Sequence, residues 1–549
     1  MSNYVRLALT SMLFALLACA AFAGAHSGDG KGATNVPLYT NLGNHHHEVT
    51  AASPKAQAFF DQGLRLIYGF NHDEAILAFK EALKYDPNCA MAYWGIAAAK
   101  GPNYNAAMDA EATKASYEAS RRALELAPNA TQPERDYIAA MAVRYTDKPD
   151  AVRADLDKAY SDAMRDLAKK YPDDDDAQTL FAESLMNLRP WQLWAKDGTP
   201  SDVTPEVLQT LEKVLARNSK HIGAIHYYIH STEASPNPEK AEPYADRLGK
   251  LIPGAGHMVH MPAHVYIRTG RYDDGVKVNI KAADLDREFV NWRKPGPMYR
   301  MYFTHNIHFI WSCASIGGRS KASLSAARDL VNEMPLELLV AMPPLEFQAP
   351  SPYFALVRFG KWTQMLEEPR PATELQYTTG MWNYGRGMAF ANLKQFDSAR
   401  AEAAQLTAVR DAMPDDRMVN LNKAKDVLTI ASVVLNAEIA RTEGKLPEAI
   451  EGFKKALPLE DALNYEEPPS WHLPVRLYLG AALLDAGMPA EAEAAYREDL
   501  KHYPKNGWAL YGLAQSLQKQ GKNAEARATQ KQFKKAWKRA DVKLTSSRF

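Results

Sequence analysis

The sequence is poor in features that would each point to a class of protein. It has three cysteines in 549 residues, and one of them, Cys19, falls in the leader segment described below. Cys89 and Cys313 remain, so no disulfide framework can form. A single bridge is open to them, but two separate buried thiols is the simpler reading, because nothing in a sequence brings them together. Charge of one sign is not in excess: Lys plus Arg and Asp plus Glu are 65 each. That removes the basic field that draws a protein onto nucleic acid, and partners must be recognised locally. Past the leader there is no run of the roughly 20 uninterrupted apolar residues that a membrane span needs. No stretch sustains the alternation of a strand. The zincin pattern HExxH is missing too: in HYYIH, Tyr227 stands where that pattern carries its glutamate base.

Helical periodicity, by contrast, is present almost throughout. Ala-, Leu- and Glu/Lys-rich segments with apolar positions three and four apart predict an all-α chain. At 549 residues it is too long for one compact core, so several domains or an elongated repeat is expected. The amino terminus reads as a secretory signal peptide: MSNYVR, the apolar LALTSMLFALLA, then CAAFAGA with Ala-Phe-Ala and Ala-Gly-Ala cleavage patterns. Cleavage after Ala23 or Ala25 is expected, the second exposing His26. The mature chain would then be periplasmic or secreted. The alternative is a lipid anchor through Cys19, since Leu-Leu-Ala-Cys looks like a lipobox.

Self-similarity gives the architecture. LYLGAALLDAGMPAEAEAAYREDLKHYP and the following LYGLAQSLQKQGKNAEARA align Gly480 with Ala514, Gly487 with Gly521 and Ala492 with Ala526, each at an offset of 34. Upstream, FFDQGLRLIYGFNHDEAILAFKEALKYDP carries Gly63, Ala75, Phe79, Ala82 and Pro87 at the spacings of the same unit. This resembles the tetratricopeptide repeat family over most of residues 51 to 540. The resemblance implies an irregular tetratricopeptide-repeat solenoid, a right-handed superhelix of antiparallel helix pairs whose A helices line a concave groove. Insertions near residues 100 to 115, 190 to 203, 285 to 300, 330 to 350 and 408 to 425 would roof it. The expected organisation is a signal peptide at 1–25, a His-containing arm at 26–50, a repeat array at 51–330, irregular middle repeats at 331–440 and carboxyl-terminal repeats at 441–549. The segments FNHDEA, GPNYN, RPWQLW, HYYIH, EASPNP and GHMVHMPAH also look like those of a group of exported bacterial tetratricopeptide repeat proteins. That likeness implies a fold, not an activity.

The chain has 15 histidines, and they are not scattered. His226 and His260 are 34 residues apart, as are His230 and His264. Within each pair the spacing of four puts both side chains on one helical face. If the segment DREFVNWRKPGPMYRM is looped out, His308 falls in the frame of His226 and His260, and His305 in that of His257. The family resemblance implies that these helix A positions face the groove. Packed helices lie roughly 8–10 Å apart, near enough for His226, His230, His257, His260, His264, His305 and His308 to share an ion with Glu233 or water. Such a set would suit zinc, copper or iron, and Met258 and Met261 would favour copper. The rival reading is a hydrogen-bonded histidine ladder tying the helices together. Pro262 would kink or restart the second His-bearing helix.

Other candidates are Arg189, Trp191, Trp194, Tyr227 and Arg268 as substrate-binding residues, the arginines clamping an anion and the indoles forming a wall. His45 to His47 read as a solvated tether, the alternative being an arm that adds ligands, Asp173 to Asp176 as a solvated loop opening a helix, and His472 as a cap or lining residue at the far end. The functional expectation is an exported protein with a His-based metal centre that binds, and in an enzyme transforms, a small molecule or peptide in its groove. The alternatives are a non-catalytic protein- or peptide-binding scaffold and a copper- or zinc-handling protein. Whether it is an enzyme stays open. Amino-terminal sequencing of the exported protein should begin at Gly24 or His26; an intact Met1 or a lipidated Cys19 would refute soluble export.

Overall fold

The computed structural model describes residues 36–148 and 150–549. The leader, its cleavage positions, Cys19 and His26 lie outside the described residues. Among the described residues the chain is all-α, apart from Met418–Val419 paired antiparallel with Asn422–Lys423. No helix among them is long and apolar enough to cross a membrane. Two compact units divide the chain: residues up to Val265 with Lys281–Phe303, and Tyr266–Ile280 with Thr304–Phe549. Cys89 belongs to the first and Cys313 to the second, and both are free and buried.

Each unit is built from helix hairpins, and the small residues of the 34-residue frame explain how they close. The first unit opens with helices Pro54–Tyr68, His72–Tyr85 and Ala90–Lys100. Ser53 caps the first by accepting from the Ala56 N–H, and Pro54 occupies its first turn. Phe79, on the second helix, is wedged between Gly63 on the first and Gly95 on the third. A Cβ on either glycine would stand 2.5 Å from the ring. In the second unit Tyr496 enters in the same way between Gly480 and Gly512. Ring and glycines together set the separation of successive A helices.

Several hairpin turns share one form. In the carboxyl-terminal hairpins the Met488 N–H reaches the Leu483 carbonyl, as the Asn71 N–H reaches Leu66 in the first. Gly444, Gly487 and Gly521 sit there at φ 85°, 73° and 74°. Nothing lies within 4 Å of the Cβ each lacks, so glycine serves by its backbone alone. The first hairpin has Phe70 at this point, at φ 53° and buried.

Two expectations need correcting. The segment from Asp286 to Met301 is not looped out, because helices Tyr272–Arg293 and Pro297–Ile316 run through most of it. It has packing of its own: Phe289 lies 4.6 Å from Tyr299, centroid to centroid, and Arg293 donates to Glu74 at 2.7 and 2.9 Å. Nor is the arm a solvated tether. Val36, Leu42 and Val49 are buried, the Tyr39 hydroxyl donates to Glu74 at 2.6 Å, and Thr50 donates to Glu134 from both backbone and hydroxyl at 2.6 Å.

The strongest fixing point of the arm is Asp176, which the acidic run hides in the sequence. Asp174 caps helix Asp175–Met186, whereas Asp176 turns inward and is buried. It accepts from the Tyr68 hydroxyl at 2.5 Å, His47 Nδ1 at 2.8 Å, His45 Nε2 at 2.9 Å and His221 Nε2 at 3.1 Å. Burial alone would raise its pKa, but these imidazoles hold it well below the usual 3.8. His47 loses to burial and gains more from Asp176, so its pKa is raised above 6.5. The Asp176 contribution is present above pH 3.8 and is lost as pH falls through the lower, folded value. The His47 contribution is complete below pH 6.5 and is lost as pH rises through the higher, folded value. The arm should therefore be held most tightly between those limits. Removing one partner of a buried ionic set costs about 3–5 kcal/mol, so Asp176→Asn should lower the melting temperature at pH 6 and free the arm to protease. An arm still protected in that variant would contradict the assignment.

Candidate metal centre

The helix Ile222–Thr232 is buried along its whole length, and its start fixes the direction of its histidines. His221 caps it, Nδ1 accepting from the Ala224 N–H at 3.1 Å. Gly223 lies against the face of Tyr68, where a Cβ would meet the ring. His226 and His230 follow on one face. The second His-bearing segment is split: helix Gly256–His260 ends, and Pro262 begins helix Pro262–Thr269 at the position where proline's missing N–H does no harm. His257 and His260 come from the first piece and His264 from the second. All five imidazoles are buried in the first unit.

Their hydrogen bonds decide which nitrogen is available. His226 Nδ1 lies 2.7 Å from the Tyr68 carbonyl, which can only accept, so Nδ1 carries the proton. His230 Nδ1 hydrogen-bonds to one oxygen of Glu233 at 3.2 Å, while His264 Nδ1 lies 3.1 Å from the other, an ion-pair distance without hydrogen-bond geometry. In a neutral imidazole anchored through Nδ1–H, Nε2 keeps a lone pair, which is how metal-ligating histidines are usually oriented. His226 Nε2 faces His257 Nε2 at 3.1 Å, and His260 Nε2 faces His264 Nε2 at 2.9 Å. The Nε2 of His230 is buried and has no hydrogen-bond partner.

His226, His230 and His257 bring one ligand atom each to within 4.8 Å of one another. Zinc–nitrogen bonds of about 2.0–2.1 Å place tetrahedral ligands about 3.3 Å apart, close to the 3.1 Å between His226 Nε2 and His257 Nε2. Burial pushes the His230 pKa down to about 3. Burial, followed by the neighbouring His230, pushes that of His226 well below 6.5. Both rings are therefore neutral at pH 7, the form that ligates.

The chemistry of the wall was not legible in the histidine frame. Phe70 lies 4.5 Å from His226 and stacks on His257 and His230 at 5.4 and 5.8 Å. Tyr104 lies 5.2 Å from His230, and Tyr302 lies 4.7 Å from His257. Trp191, at φ 59°, stacks on Tyr104 at 5.4 Å and meets His230 at 6.2 Å. Phe70 and Tyr227 also line a pocket with His72, Arg144, Tyr160 and Glu183, about 370 Å³ of atom-free space with open solvent included. The one sequence signal for Phe70 is that it stands at the left-handed position of a hairpin turn where most such turns among the described residues have glycine and one has Lys394, at φ 65°.

The remaining candidates make contacts of their own. Trp194 donates to the Ser231 carbonyl at 2.8 Å, bracing the end of the His-bearing helix. Arg189 pairs with Asp202 on an exposed loop. Arg268 belongs to the second unit, its guanidinium 5.4 Å from the Tyr465 ring. His305 and His308 are also in the second unit. His305 packs on Phe309, and His308 lies flat on Trp311 at 4.9 Å.

A second group, His45, Asp176 and His221, also has the spacing of a ligand set. Its hydrogen bonds argue otherwise. His221 Nδ1 accepts a backbone N–H, so the neutral ring carries its proton on Nε2 and donates it to Asp176. That nitrogen has no lone pair to offer, and the group is a fastening for the arm.

Comparison with known proteins bears on the fold. The tetratricopeptide repeat family matches residues 483–532, the stretch that holds the aligned Gly487 and Gly521. No curated protein matches. Among solved structures, a human IFIT1 dimer with m7Gppp-AAAA is 12% identical, covering 88% of this chain and 91% of that one at a TM-score of 0.33. Yeast Tom70 is 13% identical, covering 88% and 92% at 0.27, and the P58(IPK) TPR domain is 13% identical, covering 85% and 98% at 0.21. The chain is an all-α helical repeat, with the tetratricopeptide signature matched at its carboxyl end.

Proposed function

We propose that the first unit carries a transition-metal centre, ligated through His226, His230 and His257, with His260 and His264 as the adjoining pair and Glu233 as the carboxylate that orients it. One observation carries this reading: His230 Nε2 is buried, aimed among other imidazoles, and has no hydrogen-bond partner. A histidine ladder would leave that nitrogen unsatisfied, which costs about 1–3 kcal/mol. An ion would use it. The all-nitrogen donor set suits zinc, copper or iron. In an exported protein it would bind a small molecule or peptide beside the Trp191 and Tyr104 wall. There an ion would polarise a carbonyl or lower the pKa of bound water, while Phe70 limits entry of solvent.

Protein purified without a histidine tag should contain close to one equivalent of metal per chain by elemental analysis. After chelation, added metal should restore stability as RT ln(1 + [L]/Kd), about 2.7 kcal/mol at a hundredfold excess over Kd. His230→Ala should abolish that increment. A metal-free wild type whose melting is indifferent to zinc, copper and iron would leave the histidine ladder, and a peptide-docking scaffold would then become the better reading.

The pH dependence has a definite sign. The folded chain keeps His230 neutral down to about pH 3, whereas the unfolded chain takes up the proton below 6.5. The unfolded state therefore binds more protons between those values, and stability of the metal-free protein should fall as pH drops through this window. His230→Gln should make the fall shallower in acid denaturation; an unchanged slope would show that the ring is not held neutral.

A further inference from the structure

Helix Asn523–Ala536 closes a hairpin, and the residues after it turn back onto the second unit. The return begins at a fixed point. The Trp537 ring lies over Gly507 and Gly318, where a Cβ would stand 2.3 and 2.4 Å from it, and its indole donates to the Val542 carbonyl at 2.9 Å. Asp541 then caps helix Ser320–Asn332 from outside, accepting from the Ser320 N–H at 2.7 Å and the Lys321 N–H at 3.0 Å. Beyond it the chain has neither helix nor strand, yet Leu544, Ser547 and Arg548 are buried.

What buries them is a wall made by the first helices of three successive hairpins, Ala424–Thr442, Val475–Asp485 and Gly507–Lys519. Arg548 donates to Glu438 of the first, and its guanidinium lies 4.9 Å from the Tyr478 ring of the second. Ser547 donates to the Leu477 carbonyl at 3.2 Å, which can only accept, so the Tyr496 hydroxyl, 2.7 Å away, donates to Ser547. Tyr496 is the ring wedged between Gly480 and Gly512, and its hydroxyl thus reaches through the wall. Phe549 meets Trp508 of the third helix edge-on at 5.6 Å, beside Gly360, whose missing Cβ would stand 2.7 Å from Phe549 Cβ.

The wall does not need this occupant to satisfy its own groups. Glu438 is fully buried, and although burial alone would raise its pKa, Arg548 and then Arg441 hold it at about 2. Arg441 donates to both of its oxygens at 2.9 and 3.0 Å, and Asn392 to one of them at 3.1 Å. The Trp508 indole donates to the Ser315 carbonyl at 3.1 Å, and the Tyr384 and Tyr478 hydroxyls pair at 3.1 Å. With Arg548 withdrawn, the carboxylate keeps Arg441, so no buried ion is left unpaired, which is the usual penalty for breaking such a pair. An irregular segment rooted at Asp541 and held by its side chains on groups that have other partners is placed as a ligand is placed on a receptor.

We propose that this wall is a recognition site for an extended Ser-Arg-aromatic segment of a partner protein, and that residues 544–549 are a tethered internal ligand which the partner displaces. The geometry that carries it is the seating of Ser547, Arg548 and Phe549 at three places on helices whose polar groups are satisfied without them. Glu438 reads the arginine, Tyr496 and the Leu477 carbonyl read the serine, and Trp508 with Gly360 reads the aromatic ring. A short tether holds its own segment at an effective concentration of about millimolar, so the free protein stays closed to weakly bound peptides. The proposal is independent of the metal centre in the first unit.

The full-length chain carrying Arg548→Ser and Phe549→Ser should be titrated with the fluorescein-labelled peptide KLTSSRF and followed by anisotropy. It should melt cooperatively and bind the peptide saturably, and the wild type should bind it at least tenfold more weakly because its own segment competes. The peptide KLTSSEF should not bind, and Glu438→Gln added to the double variant should weaken KLTSSRF at least tenfold. In the wild type, excess KLTSSRF should speed hydrogen exchange of residues 542–549 and leave that of helix Val475–Asp485 unchanged. A double variant that does not fold, or that folds and does not bind KLTSSRF, would overturn the proposal, as would equal binding of KLTSSEF or exchange of 542–549 only at the rate of the helix. Dimerisation of the wild type through this segment would make the occupant a second copy of the chain and would overturn it too.

Discussion

The first unit depends on one close approach, that of Tyr68 to Gly223. A side chain at Gly223 would occupy the space of the Tyr68 ring, so the helix Ile222–Thr232 can sit this near only because residue 223 has none. Three consequences follow from the same tyrosine. Its carbonyl takes the Nδ1 proton of His226 and so decides which nitrogen of that ring is bare. Its hydroxyl donates to Asp176, the carboxylate that also fastens His45 and His47 of the arm. Its backbone leads directly into the turn at Phe70, which closes the histidine cluster. Arm, histidine face and aromatic wall are therefore coupled through a single packing contact, and a disturbance there would be felt in all three.

What was legible in the sequence had a period. The 34-residue offset between Gly487 and Gly521 predicts repeated helix hairpins, and the structure has both glycines in hairpin turns, at φ 73° and 74°. The four-residue spacing of His226 and His230, and its repetition one frame later, places them on faces that meet. Pro262 restarts its helix instead of bending it, because a proline at the first turn removes a donor that had no partner in any case.

What was illegible comes from contacts between segments far apart in the chain. Nothing local marks Asp176 as different from Asp173, Asp174 and Asp175; only the returning arm and His221 make it a buried anion. Phe70, Tyr104 and Tyr302 belong to a turn, a loop and a distant helix, so no periodicity joins them to the histidines. The tautomers, which separate a ligand set from a fastening, depend on the partners of Nδ1, and these are set by tertiary structure alone. The place of Arg548 was hidden for the same reason: an arginine in a stretch without helical period gives no sign that a buried carboxylate meets its charge.

The turn at Phe70 has a further consequence. A residue with a Cβ in the left-handed region costs about 1–2 kcal/mol, and here that strain is tolerated where a glycine would relieve it. The ring it supports is a dielectric boundary. With it in place, the imidazoles stand in a medium of low polarizability, where the affinity for the proposed ion would be set by the surrounding hydrocarbon as much as by the ligands. Backbone strain in one turn is thus converted into control of the electronic environment of the cluster, a lever acting through solvent exclusion and not through any bond to the site.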